Sequence, residues 1–234
     1  MTGRIHSIQS LGAVDGPGLR AVAFLQGCPL RCAYCHNPVT WDFSGGTEIT
    51  PQELARKLLR YRPYFRGKGG VTLTGGEPLA QAPFVEEVFR LLRAQGVHTA
   101  LDTSCMGDLD AAARVLAHTS LVLADVKFLT REDYRRYCGG SLDRVWDFLR
   151  LTGQMGVPLW IRHVVVPGLT DGEAHIRALG RELRRFPNVE KVELLPFRKL
   201  CLEKYQAMGL PFPLEQVPEM DEAACRGLER FLQE

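Results

Sequence analysis

The chain has 234 residues, 45% of them hydrophobic and 24% charged, which is enough apolar material for one substantial core and too much for a disordered segment. A formal charge of only +2, with no long basic block, argues against a nucleic-acid-binding surface. No apolar run approaches the roughly 20 residues that span a bilayer. No charged start leading into an apolar stretch and a cleavage site opens the chain, and the seven cysteines are odd in number, so the expected setting is a reducing cytoplasm.

Taken in order, residues 3–8 alternate polar and apolar as a short strand does, and Val14-Asp15-Gly16-Pro17-Gly18 forces a turn. Residues 19–26 form an apolar run interrupted by Arg20. This second strand delivers the chain into Gln26-Gly27-Cys28-Pro29-Leu30-Arg31-Cys32-Ala33-Tyr34-Cys35-His36-Asn37, three thiols at the spacing C-x3-C-x2-C. Three soft ligands this close can hold one metal centre. With His36 they make a Cys3His zinc site, or the loop carries disulfides. Alternatively, three thiolates on a cubane of four irons and four sulfurs leave one iron open to a substrate. Such a loop directly after a strand lies where parallel (β/α) barrels bind their ligands.

Thr50-Pro51-Gln52-Glu53 has the residues of a capping box, with proline in the first turn, and starts a helix that runs to Tyr61. A strand at 71–74, the turn Gly75-Gly76-Glu77-Pro78 and a helix at 84–95 follow. Apolar residues at 84, 85, 88, 89, 91 and 92 give that segment its helical period. Next come a strand at 98–102 and a helix at 108–118, then a strand at 121–127 and helices at 131–137 and 142–155. A strand at 159–166 precedes a helix at 171–186, for which Thr170-Asp171-Gly172-Glu173 offers a second capping box. A strand at 191–195, an irregular proline-containing stretch and a helix at 219–232 complete the chain.

Six rounds of strand then helix imply parallel strands with right-handed crossovers. An eight-fold barrel takes about 250 residues, so the expected fold is α/β, a partial TIM-type (β/α)6 barrel open on one side, in a single domain over residues 1–234. A doubly wound open sheet has the same periodicity and competes with it. Several polar residues fall at strand ends: Asp102 and Thr103, Asp125 and Lys127, and Arg162. They read either as structural ion pairs or as the mouth of a site, where two carboxylates and a hydroxyl would suit a hard cation. The paired glycines at 75–76 would leave backbone groups open to a ligand's polar head, or simply make a tight turn.

The cysteine spacing, with Tyr34 before the last thiol, resembles the signature of radical S-adenosylmethionine enzymes, and Gly75-Gly76-Glu77 resembles the motif with which they hold the amino group of methionine. Across nearly the whole chain, Gly3-Arg4-Ile5-His6, Val14-Asp15-Gly16-Pro17-Gly18, Cys35-His36-Asn37, Thr40-Trp41-Asp42, Trp160-Ile161-Arg162, Val164-Val165-Val166-Pro167-Gly168 and Val192-Glu193-Leu194-Leu195-Pro196 resemble the pyruvate formate-lyase activating enzymes, the family that activates glycyl-radical enzymes. Residues 36–74 contain no cysteine, so the ferredoxin-like insert of other glycyl-radical activases is missing.

The resemblance implies one 4Fe-4S cluster on Cys28, Cys32 and Cys35, and S-adenosylmethionine held by Tyr34, Cys35, His36, Gly76 and the segment Asp125, Val126 and Lys127. It implies a monovalent cation, sodium or potassium, at Asp102, Thr103, Asp125 and the carbonyl of Leu123, with Asp15, His36 and Arg162 facing a protein substrate. Arg198 stands where the family commonly has a cofactor-contacting histidine, and Ser104-Cys105 where it has asparagine-glycine. The partners implied are pyruvate formate-lyase and a one-electron donor such as flavodoxin, for a chain expected to be monomeric. Activation of another glycyl-radical enzyme, or radical chemistry on a small molecule as in a deazapurine synthase, is the alternative among enzymes. An electron carrier or a zinc-binding module is the alternative outside them, and neither calls for a glycine-rich cofactor turn or a barrel mouth.

Overall fold

A computed structural model describes residues 1–233. In chain order the elements are β1 (Gly3–Gly12), β2 (Arg20–Leu25), β3 (Thr47–Ile49), α1 (Pro51–Leu59), β4 (Gly70–Gly75), α2 (Ala82–Ala94), β5 (His98–Thr103), α3 (Leu109–Leu116), β6 (Leu121–Asp125), α4 (Arg131–Cys138), α5 (Leu142–Gln154), β7 (Leu159–Val165), α6 (Glu173–Leu183), β8 (Val189–Pro196), α7 (Leu202–Ala207) and α8 (Glu222–Leu228). Among the described residues one sheet of eight strands runs in the order β3-β1-β2-β4-β5-β6-β7-β8. The six strands from β2 to β8 that follow β1 in this order are parallel to one another, while β1 is antiparallel to both β2 and β3.

This order separates the two architectures that periodicity left open. In a doubly wound sheet the strand order reverses at a switch point, which puts helices on both faces. Here the parallel strands follow one another in chain order, so right-handed crossovers place every connecting helix on the same face and the sheet curls around the other. The result is six (β/α) rounds with an open edge, extended beyond β2 by the antiparallel strands β1 and β3. The sequence shows β1 in part and not β3, because three residues carry no readable alternation.

Alternation along each strand makes two interiors. Facing the helices, Leu73, Leu101, Val122, Ala124, Ile161 and Val165 are fully buried in the main core with the apolar stripe of α2, Phe84, Val85, Val88, Phe89 and Leu92. Facing inward, Ala100, Leu121 and Leu123 pack with Trp160 as a separate small cluster, the apolar floor of the barrel.

The box at α1 forms as the sequence predicts. Glu53 N donates to Thr50 Oγ1 at 3.2 Å, and Thr50 N donates to Glu53 Oε2 at 3.1 Å. The second box does not form. Gly172 is the N-cap of α6 with no side-chain cap, and Thr170 Oγ1 instead accepts from Val166 N and donates to the Val164 carbonyl, pinning the loop after β7. At the C-terminus, α7 interrupts the stretch expected to be irregular, and the last helix is the short α8 followed by a 3-10 turn over Glu229–Leu232.

Candidate functional site

Above the apolar floor, the next inward-facing residues of the parallel strands are polar. Asp102 on β5 is in register with Leu123, and Asp125 on β6 with Arg162, which in turn pairs with Glu193 on β8. Asp102 Oδ2 accepts from Thr74 Oγ1 at 2.9 Å and from Arg162 Nη1 at 3.0 Å. Arg162 Nε reaches Glu193 Oε2 at 3.4 Å, and Lys127 Nζ donates to Asp125 Oδ2 at 2.6 Å. Burial lifts the Asp102 carboxyl to about 6 even against the Arg162 charge. This is a dense, partly desolvated ring of both signs at the C-terminal ends of the strands, suited to a zwitterionic ligand.

The thiol loop closes over this mouth. Its entry is tied down by Gln26, whose side-chain amide donates to the carbonyls of Val39 and Asp42 at 3.0 and 2.8 Å. Its middle is laced to α4, and Lys204 on α7 clips its exit by donating to the His36 carbonyl at 3.0 Å and to Asn37 Oδ1 at 2.7 Å. Cys28, Cys32 and Cys35 all line one cavity of about 300 Å³ that extends to Asp102, Asp125 and Arg162.

The donor set fits a cubane better than a zinc ion. His36 turns its Nε2 to the Arg198 carbonyl at 2.9 Å, and among the described residues no three His, Cys, Asp or Glu side chains are gathered as a single metal ion requires. No disulfide joins any cysteines among the described residues. Burial pushes Cys28 up to about 12 and Cys35 up to about 11, so an ionised sulfur at either of these two places needs positive charge beside it, as iron would provide.

Tyr34, His36 and Gly76 line the same cavity, as do Lys127 and Arg198. Arg198 is held from outside, by Glu222 Oε1 at 2.6 Å and by the Met220 carbonyl at 3.1 Å. Burial opposes the Lys127 charge, but Asp125, with Cys32 and Tyr34, holds its ammonium well above the usual range.

Three expectations meet a different geometry. Val126 is buried on the helix-facing side, its N–H donating to the Arg162 carbonyl and its carbonyl 2.6 Å from His163 Nδ1, so both of its backbone groups are occupied. The Thr103 hydroxyl does not join the Asp102 carboxylate, because neighbouring residues of a strand point to opposite faces. It donates to Glu77 Oε1 at 2.6 Å and accepts from Cys105 N at 2.9 Å. The glycines at 75 and 76 answer a packing demand: φ of Gly75 is +113°, and a Cβ on Gly76 would collide with the carbonyl oxygen of Gly27 in the thiol loop.

Asp15 lies in an adjoining depression with Val14, Trp160 and Glu193, and Arg162 belongs to both walls. The Arg162 guanidinium also bonds the Val14 carbonyl, so one side chain connects the cavity to the turn at 14–18. From below, fully buried Arg20 sets that turn. It donates to the Pro17 carbonyl at 3.1 Å and to Thr72 Oγ1 at 2.6 Å, and Thr72 passes the bond on to the Asp15 carbonyl at 2.6 Å. A lone arginine in an apolar strand was the visible signal for this bracket. Nothing in the sequence signals Lys204 or Thr74.

Comparison with known proteins agrees with this geometry. The Radical SAM superfamily profile matches residues 22–179. The chain is 47% identical over 233 residues to the pyruvate formate-lyase-activating enzyme of Clostridium pasteurianum, covering 99% of this chain and 98% of that one. It is 42% identical over 240 residues to the enzyme of the same name from Staphylococcus epidermidis, covering 99% and 96%. In fold it resembles a crystallised domain of pyruvate-formate lyase-activating enzyme from Bacteroides vulgatus, with a TM-score of 0.58 at 22% identity over 70% of this chain and 92% of that one. With its three-thiol loop over an open parallel barrel, the chain belongs to the radical SAM superfamily and, within it, to the family of the pyruvate formate-lyase-activating enzymes.

Proposed function

We propose that this chain, acting as one domain and as a monomer, installs a radical on a glycine of pyruvate formate-lyase. The observation that carries the reading is Arg162, which pairs with Asp102 inside the cofactor cavity and bonds the Val14 carbonyl at the open flank. A protein loop lying on the turn at 14–18 would therefore adjoin the site where the radical arises. Cys28, Cys32 and Cys35 would hold the cluster, and Gly76, Lys127 and Arg198, with Tyr34 and His36, would surround S-adenosylmethionine, since all of them line one cavity. A cluster and S-adenosylmethionine bound there would, on taking up one electron, supply the reductive cleavage to methionine and the hydrogen-atom acceptor for the glycine Cα. The chain contributes position and dryness: the Arg20 and Thr72 bracket presents Asp15 to the incoming loop, and the barrel floor excludes water from below. The electron donor is a small redox protein such as flavodoxin. Free thiols suit a cytoplasmic setting, and among the described residues no helix is long and apolar enough to cross a membrane.

The test uses lyase deuterated at glycine Cα. With S-adenosylmethionine and a one-electron reductant in the absence of oxygen, deuterium should appear in 5′-deoxyadenosine in proportion to the glycyl radical seen by electron paramagnetic resonance. Asp15→Ala should reduce this transfer while leaving slow, lyase-independent cleavage largely intact. Cleavage with neither radical nor deuterium transfer, despite a competent lyase, overturns the reading.

We further propose a sodium or potassium ion beside the cofactor carboxylate, held by Asp102 and Asp125 with the backbone carbonyl of Leu123. In its support, Asp102 and Leu123 are register partners on neighbouring strands, with Asp125 two residues further along the same face. Asp102→Ala should weaken S-adenosylmethionine binding about tenfold, the order expected for one charged contact. Added potassium or sodium should tighten binding to the parent and not to the variant. An equal response in both leaves Asp102 as an anchor for Arg162 alone.

A further inference from the structure

One thiol beside the cysteine loop has no place in the chemistry described so far. Cys138, the last residue of α4, is fully buried. Two backbone bonds pin the loop against it, Arg31 N to the Cys138 carbonyl at 2.9 Å and Ala33 N to the Tyr137 carbonyl at 2.7 Å. These bonds bracket Cys32 and set the end of α4 against it, so that the Cys138 and Cys32 thiols act on each other electrostatically. Since Gly139 follows in the left-handed conformation as the C-cap of α4, the end of the helix, and with it the thiol, is held in place.

We propose that Cys138 is a positioning and tuning residue for the cluster, its S–H donating to Cys32 Sγ and raising the potential at which the cluster accepts an electron. This rests on the reading that Cys32 is a cluster ligand. Reduction adds one negative charge that is shared with the ligand sulfurs, so a donor fixed on one of them stabilises the reduced state more than the oxidised one. Burial strengthens the effect, because no water competes for the bond in a low-dielectric interior. The contact is direct, unlike the influence of Lys127, whose ammonium is bonded to Asp125. Cys138 would thus ease the entry of the electron on which the radical step depends, without taking a place on the iron.

The experiment compares the anaerobically reconstituted parent with Cys138→Ala and Cys138→Ser, proteins that differ from each other by one hydroxyl. Iron and sulfide are counted first, and the cluster couple is then titrated against potential by electron paramagnetic resonance without S-adenosylmethionine. Both variants should keep the parent's iron content. Cys138→Ala should titrate at a more negative potential, so that at a poise where the parent is half reduced its reduced-to-oxidised ratio is several-fold lower. Cys138→Ser, which keeps an O–H donor, should return most of the way to the parent. Coincident titrations of parent and Cys138→Ala overturn the proposal, as does a Ser variant that shifts as far as the Ala variant. Loss of iron from either variant overturns it too, because the thiol would then be a ligand or an assembly residue. A parent that holds no four-iron cluster removes the underlying reading instead, and the iron count tells the two failures apart.

Discussion

Anaerobically reconstituted protein should be brown and hold about four irons per chain, as a single cubane does, and replacing any one of Cys28, Cys32 and Cys35 by Ala should abolish the intact cluster. The three sulfurs line one cavity, and His36, the nearest nitrogen in sequence, is bonded to the Arg198 carbonyl, so no neighbouring ligand stands ready to replace a lost thiolate. Each deletion therefore removes a third of the protein ligands. Cys105→Ala, Cys201→Ala and Cys225→Ala should retain the parent's iron, because these three side chains are buried elsewhere in the core and outside the cavity lining. Iron and sulfide analysis with the visible absorption of the protein reads both arms. A colourless, zinc-loaded parent prepared in the same way would falsify the assignment.

Glu77→Ala should be the most damaging substitution outside the cysteines. The Glu77 carboxylate is fully buried and accepts from Leu79 N at 2.9 Å, Thr103 Oγ1 at 2.6 Å, Ser104 N at 2.8 Å and the Ser104 hydroxyl. It ties the turn after β4 to the end of β5, beside Asp102. Burial raises its pKa while these donors pull the other way, so much of what keeps a charge here is the bond set itself. Truncation leaves buried donors with no acceptor, which costs on the order of 3–5 kcal/mol. Removing the Thr50 cap of α1 at the surface should cost only about 1 kcal/mol. Glu77→Gln should fall between the two, since the amide keeps the shape and one acceptor oxygen. Denaturant midpoints compare the three variants. S-adenosylmethionine affinity should fall along with stability at residue 77 and stay unchanged at residue 50. Equal losses at the two positions would show that the carboxylate is not the tie between the strands.

Glu77 also shows how far its motif could be read. The pair of glycines and the glutamate mark a turn at the site, but the glutamate serves Thr103 and Ser104 at the end of β5, and the glycines make room for the backbone of Gly27 and Leu25. Ser104, which stands where the resemblance implies an asparagine, gives both its N–H and its hydroxyl to Glu77. A motif names the residues; which side of the turn each one faces depends on what packs against it.

What the sequence by itself determined is what depends on near neighbours. Three thiols within eight residues bring three soft ligands together in any fold, the Thr50 and Glu53 pair caps a helix within one turn, and six rounds of a short apolar strand then a helix of period 3.6 imply parallel strands with helical crossovers. What only the tertiary structure decided depends on register between distant segments. Sequential strand order, not periodicity, makes the sheet curl into a barrel instead of winding both ways. Alternation seen in place sends the Thr103 hydroxyl away from Asp102 and buries Val126 behind the cavity. Lys204 meets His36 across 168 residues, Arg162 meets Val14 across 148, and Cys138 arrives beside Cys32 only because α4 ends against the thiol loop. Contacts of this kind leave no local pattern, since the composition around each residue is that of an ordinary helix end or strand, and the partner is selected by the packing of the whole sheet.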